Sequence, residues 1–144
     1  MRIRSKALLA AMLISLSQAG LSVTCPDVGT IISSDPNENG DVTFISPSWP
    51  GWHSDTMRPI LLSDTKFHLV YASTFGMNCT YDTNQGFLFL FPNNRTKILM
   101  SDVLNGSRWQ CQVAPDSRQP VEAVRTEQVC VCNDFREDCS FILK

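Results

Sequence analysis

Past residue 16 the chain has no hydrophobic run approaching the roughly 18 residues that span a bilayer as a helix, which argues against a membrane span in the mature protein. Past Lys6 it has no cluster of Lys or Arg, so nothing draws a phosphate backbone or an anionic membrane surface. It has no G-x-S-x-G elbow, no H-E-x-x-H, no P-loop and no glycine-rich dinucleotide turn. Histidine is scarce: His53 and His68 are the only two. These absences disfavour enzymatic activity and nucleic-acid binding, and they leave a chain whose sequence speaks mainly of architecture.

What is present begins with a leader. Arg2, Arg4 and Lys6 precede the apolar run at residues 7–16, and small residues follow at Ser17 and Ala19. That order of basic flank, short apolar stretch and small-residue exit is a secretory signal peptide, removed after residue 19 or as late as residue 22. Residues 20–144 then form one domain. Without the leader's three cations the twelve basic residues fall to nine against fourteen acidic ones, a net charge of about −5. All six cysteines, Cys25, Cys79, Cys111, Cys130, Cys132 and Cys139, lie behind the leader. An even set in that context is a disulfide framework in an oxidising compartment, periplasmic or extracellular, with the pairing open.

From Asp41 onward short apolar runs alternate with turn signals, the rhythm of a single antiparallel β-sandwich or barrel-like domain. The runs lie at residues 41–46, 59–63, 66–75, 77–81, 86–91, 96–100, 109–113 and 139–143. In the third, Phe67, Leu69 and Tyr71 alternate onto one face; near the end, Trp109, Cys111 and Val113 do the same. The run at 86–91 puts Phe87, Phe89 and Phe91 on one face and Leu88 and Leu90 on the other, so both faces call for cover and the strand should be central. A turn at 82–85 ending in Gly86 joins it to the preceding strand as a hairpin. Pro120 opens a short helix or irregular segment to residue 127, followed by a strand at 128–132.

Four stretches carry candidate chemistry. In residues 35–41, Asp35, Asn37, Asn39 and Asp41 with Gly40 match the front half of a calcium loop, but Ser46 stands where the bidentate glutamate belongs. The favoured reading is an Asx and glycine turn before a strand, with no cofactor required and weak calcium binding as the alternative. Cys130 and Cys132 on one strand face lie too far apart for an easy mutual bond, so structural disulfides to other cysteines are favoured over zinc or redox chemistry. Residues 46–59 carry Trp49, Trp52 and His53 in a segment stiffened by three prolines, either a binding surface or a cap on the core. Asn78, Asn94 and Asn105 begin glycosylation triplets, meaningful only in a eukaryotic host; there Asn78 and Thr80 should face solvent and Met77, Cys79 and Tyr81 the core.

Cys25-Pro26, Cys79-Thr80-Tyr81 before Gly86, Trp109-Gln110-Cys111 and Asp138-Cys139-Ser140-Phe141 together resemble a family of small, mostly bacterial secreted proteins catalogued as a domain of unknown function. The resemblance implies a small β-rich secreted domain and no established activity, cofactor or catalytic residue. Cys130 and Cys132 are additional to its four-cysteine pattern, which leaves a mutual or intermolecular bond open. The function expected is recognition of a protein or glycan partner through the loop around Trp49 and Trp52. An inhibitor of a secreted enzyme, a small hydrolase, a redox or metal-binding protein and an envelope component are the alternatives.

Overall fold

The computed structural model describes residues 21–73, 76–93, 108–115 and 126–143. Ten strands run in chain order: β1 (Leu21–Val23), β2 (Ile32–Ser33), β3 (Phe44–Ser46), β4 (Trp52–His53), β5 (Lys66–Ser73), β6 (Gly76–Thr83), β7 (Gly86–Pro92), β8 (Gln110–Pro115), β9 (Thr126–Cys132) and β10 (Phe141–Leu143). No α-helix occurs among the described residues. Eight strands make one antiparallel sheet in the order β2-β3-β4-β7-β6-β5-β9-β8, and β1 pairs with β10 in a second, two-stranded sheet. The fold is all-β, as the alternation of apolar runs and turns predicts, and disulfide-stabilised, as the six cysteines predict.

The core lies between the small sheet and one face of the large one. Val23 and Phe141 of β1 and β10 join Phe44, Trp52, Val70, Ala72, Tyr81, Leu88 and Leu90 in a single buried cluster. The Trp52 ring meets Phe141 edge-on at 6.2 Å between centroids, which fastens the two layers. Three disulfides staple the arrangement: Cys25–Cys79, Cys111–Cys130 and Cys132–Cys139. Cys130 and Cys132 therefore each pair elsewhere within the chain. Each takes a partner from the four-cysteine set, so the additional pair is woven into the framework.

Several local expectations change. A register shift between Phe67 and Leu69 divides the expected face of β5. Phe67 turns inward to meet Tyr81 edge-on at 6.0 Å, and beyond the bulge it is Val70 and Ala72 that are buried. Residues 59–63 form no strand; a 3-10 turn stands at Leu62–Asp64, because side chains take the backbone bonds a ladder would have used. Asn84 Oδ1 accepts from the Leu61 N–H at 3.2 Å and the Thr65 hydroxyl donates to the Leu61 carbonyl at 2.9 Å. β9 begins at Thr126, two residues before the expected start, since Ala114 and Pro115 of β8 supply partners for Glu127 and Thr126. The hairpin at Gly86 stands as expected, with a φ of 109° that favours glycine. The leader, the run at 96–100, the proposed helical segment from Pro120 to residue 125, and Asn94 and Asn105 lie outside the described residues.

Candidate interaction surface

The calcium-like stretch forms a tight turn at residues 37–41. Asn37 Oδ1 accepts from the N–H groups of Asn39 at 2.9 Å and Asp41 at 3.0 Å, and Gly40 holds a φ of 78°. Asp41 faces Arg58 at 3.6 Å. Among the described residues no group of three or more His, Cys, Asp or Glu stands where it would hold a metal ion.

The tryptophan loop splits its residues among three places. Trp52 is 1% exposed and belongs to the core, so removing both indoles would hollow the interior as well as alter the surface. Trp49 is 54% exposed. A turn between them sets this difference: Gly51, at a φ of 90°, donates to the Ser48 carbonyl at 2.7 Å, and a Cβ at Gly51 would stand 2.6 Å from Asn93 Nδ2. His53 points to the face of the large sheet opposite the core, where its Nδ1 lies 2.6 Å from Asn93 Oδ1.

That outer face carries a continuous apolar row. Ile32, Ile45, His53 and Phe91 are direct neighbours across β2, β3, β4 and β7. Along β7 the row continues through Phe89 and Phe87, whose rings lie 6.2 Å apart, and then to His68 of β5 at 5.5 Å from Phe87. Leu88 and Leu90 fill the core as expected. Phe87 and Phe89 remain 51% and 45% exposed, so the cover expected for their face is missing among the described residues. His68 Nδ1 sits 3.0 Å from Asp82 Oδ2 on this open sheet face and does not line the cleft beside Trp49. Asn78 is half-buried on β6 and accepts from the Thr80 hydroxyl at 2.9 Å. Met77, Cys79 and Tyr81 face the core as expected, but Thr80 is buried instead of solvent-facing, because it lies in register between Leu69 and Phe89.

A cleft of about 390 Å³ opens beside Trp49. Its walls come from parts of the chain far apart in sequence. The 3-10 turn at Val28–Thr30 starts at Asp27, whose Oδ1 accepts from the Gly29 N–H at 2.8 Å, and the Cys25–Cys79 bond anchors the approach to it. The 3-10 turn at Arg136–Asp138 lies inside the loop closed by Cys132–Cys139 and presents Arg136. Arg136 donates to the Cys25 carbonyl at 3.0 Å and to Glu137 at 2.9 Å, and it approaches Asp27 Oδ2 at 3.5 Å. Beneath the cleft the Tyr81 hydroxyl donates to the Pro26 carbonyl at 2.7 Å. Burial pushes that phenol well above its ordinary range, against the opposing pull of Arg136. Nearby, Arg108 pairs with Asp134, whose carboxyl is held below its usual range first by the Phe135 N–H and then by Arg108.

No family model, curated protein or solved structure matches the chain.

The sequence located Trp49 but missed the residues around it. Asp27, Thr30 and Arg136 carry no shared motif, and Arg136 reaches the Cys25 carbonyl across 111 positions. The Phe row had a signal in the Phe/Leu alternation at 86–91, which fixed the composition of each face without deciding which one the core would take.

Proposed function

We propose that this protein is a secreted recognition module that binds a protein or glycan partner through the outer-face row from His53 to Phe89 and Phe87 and through Trp49 on the same β3–β4 hairpin. The observation that carries this is the row of half-exposed phenylalanines on a sheet stapled by disulfides, with Trp49 presented by the hairpin that also places His53 in the row. Large aromatic side chains left on the surface of a stable scaffold cost solubility, and they are the side chains that most often anchor an interface. A rigid sheet loses little conformational entropy when a partner docks.

The test places a photoactivatable phenylalanine analogue at position 89, and compares crosslinking to secreted and envelope fractions with binding to a glycan array. The reading expects adducts or array signals that disappear in the Phe87→Ser/Phe89→Ser and Trp49→Ala variants. Identical profiles for the wild type and these variants would overturn it.

A further inference from the structure

We infer that the cleft beside Trp49 is a subsite for one neutral pyranose ring. The inference rests on reading the protein as a recognition module and names the chemistry of its concave part. At about 390 Å³ the cleft stands at the small end of ligand sites and suits a compact ligand. Its lining holds one cation and one anion, Arg136 and Asp27, 3.5 Å apart. They largely cancel, and a second acid, Glu137, also occupies Arg136. An anionic ligand would meet a guanidinium already committed to carboxylates, and a cationic one would have to compete with that guanidinium for Asp27 and Glu137. A neutral ligand meets neither cost.

The remaining lining is one aromatic side chain, Trp49, three apolar residues and four that carry hydroxyls. The half-exposed indole of Trp49 offers a flat face against which the C–H face of a sugar ring can lie, and Val23 and Pro26 add apolar floor. The hydroxyls form a directed chain. Thr30 spends its one proton on the Asp27 carbonyl at 2.7 Å, so Ser46 at 2.8 Å and Ser48 at 3.3 Å donate to the Thr30 oxygen. Ser48 Oγ, having given its proton to Thr30, presents lone pairs at the cleft. The Asp27 carboxylate is largely exposed and adds acceptor capacity beyond the Gly29 N–H and Arg136. Hydroxyl and carboxylate acceptors together with an aromatic plate fit a ligand that donates several O–H groups around an apolar ring face.

The probe is a set of methyl glycosides of glucose, galactose, mannose and N-acetylglucosamine, with glucuronate and choline as charged comparators, titrated into nitrogen-15-labelled protein. The three indole N–H signals provide the readout. Trp52 is buried and Trp109 donates to the Ser140 carbonyl at 3.0 Å, so both serve as internal references for Trp49. The proposal expects saturable movement of the Trp49 signal with at least one neutral glycoside, and movement of neither reference. It also expects binding read from backbone signals near Asp27 to weaken about tenfold or more in Trp49→Ala, with partial retention in Trp49→Tyr. An oligosaccharide and a glycopeptide ending in the same sugar then distinguish a free polysaccharide from a protein-borne glycan by which one binds more tightly. No response to any neutral glycoside, or a response to glucuronate or choline alone, overturns the proposal. If the glycosides fail while Phe87→Ser/Phe89→Ser still removes partner crosslinks, the cleft assignment falls and the recognition reading stands.

Discussion

At the scale of single residues, Tyr81 joins the core to the rim of the cleft, since its ring is buried and its hydroxyl bonds Pro26. A phenol ionises at about pH 10 in the unfolded chain and at a higher pH here. The unfolded state therefore releases its proton first as pH rises, and stability, fully present below about pH 10, falls by about 1.4 kcal/mol per unit above it until the folded phenol also ionises. Urea unfolding from about pH 8 to about pH 11 should show that decline. Tyr81→Phe should remove this component and lose about 1–3 kcal/mol at neutral pH by leaving the Pro26 carbonyl unpaired. A variant with unchanged neutral stability and the full alkaline decline would disprove the role of this hydroxyl. The contrast between Trp49 and Trp52 is also a residue-scale matter. Two like side chains three positions apart meet opposite fates because Gly51 permits a turn between them. The sequence showed both indoles and the proline stiffening, but the choice between core and surface needed the positions of Phe141 and Asn93.

Among the elements, β1 is a three-residue strand that stands at the edge of the expected leader. Leu21, Ser22 and Val23 pair with Leu143, Ile142 and Phe141, and Val23 is buried. Removal of the leader after residue 19 leaves the strand whole, whereas removal after residue 22 leaves only Val23 of it. A chain beginning at Gly20 should thus be more stable than one beginning at Val23 by about 1–2 kcal/mol, the order of one or two net backbone hydrogen bonds. Paired thermal melts of the two chains measure the difference, and equal melting temperatures would show that β1 contributes nothing. The central strands β5, β6 and β7 were readable in advance because their apolar runs are long and bounded by turn residues. The bulge in β5 was not readable. A one-residue slip exchanges the two faces of a strand, and only the ladder with β6 reveals where the slip occurs.

For the whole molecule, the three disulfides close loops of very different length, with sequence separations of 54, 19 and 7 residues. In the chain-entropy view a longer closed loop restrains the unfolded state more, giving about 4, 3 and 2 kcal/mol in that order. Paired Cys→Ala variants should lose thermal stability in the same order, Cys25/Cys79 most and Cys132/Cys139 least. The reverse order would mean that the short loop is held for the sake of the native state, where it presents Arg136 to the cleft. By itself the sequence determined the β class, the hairpin at Gly86, the polar turn at Gly40 and a set of six cysteines available for pairing. Those features follow from local sterics, strand periodicity and counting, which act over a few residues or need no geometry. Tertiary structure alone decided which cysteines pair, which face of β7 is buried, and that Asp27, Trp49 and Arg136 share one cleft. Each of those depends on contacts between segments that approach one another only when the sheet closes on its core, and no local pattern encodes that distance.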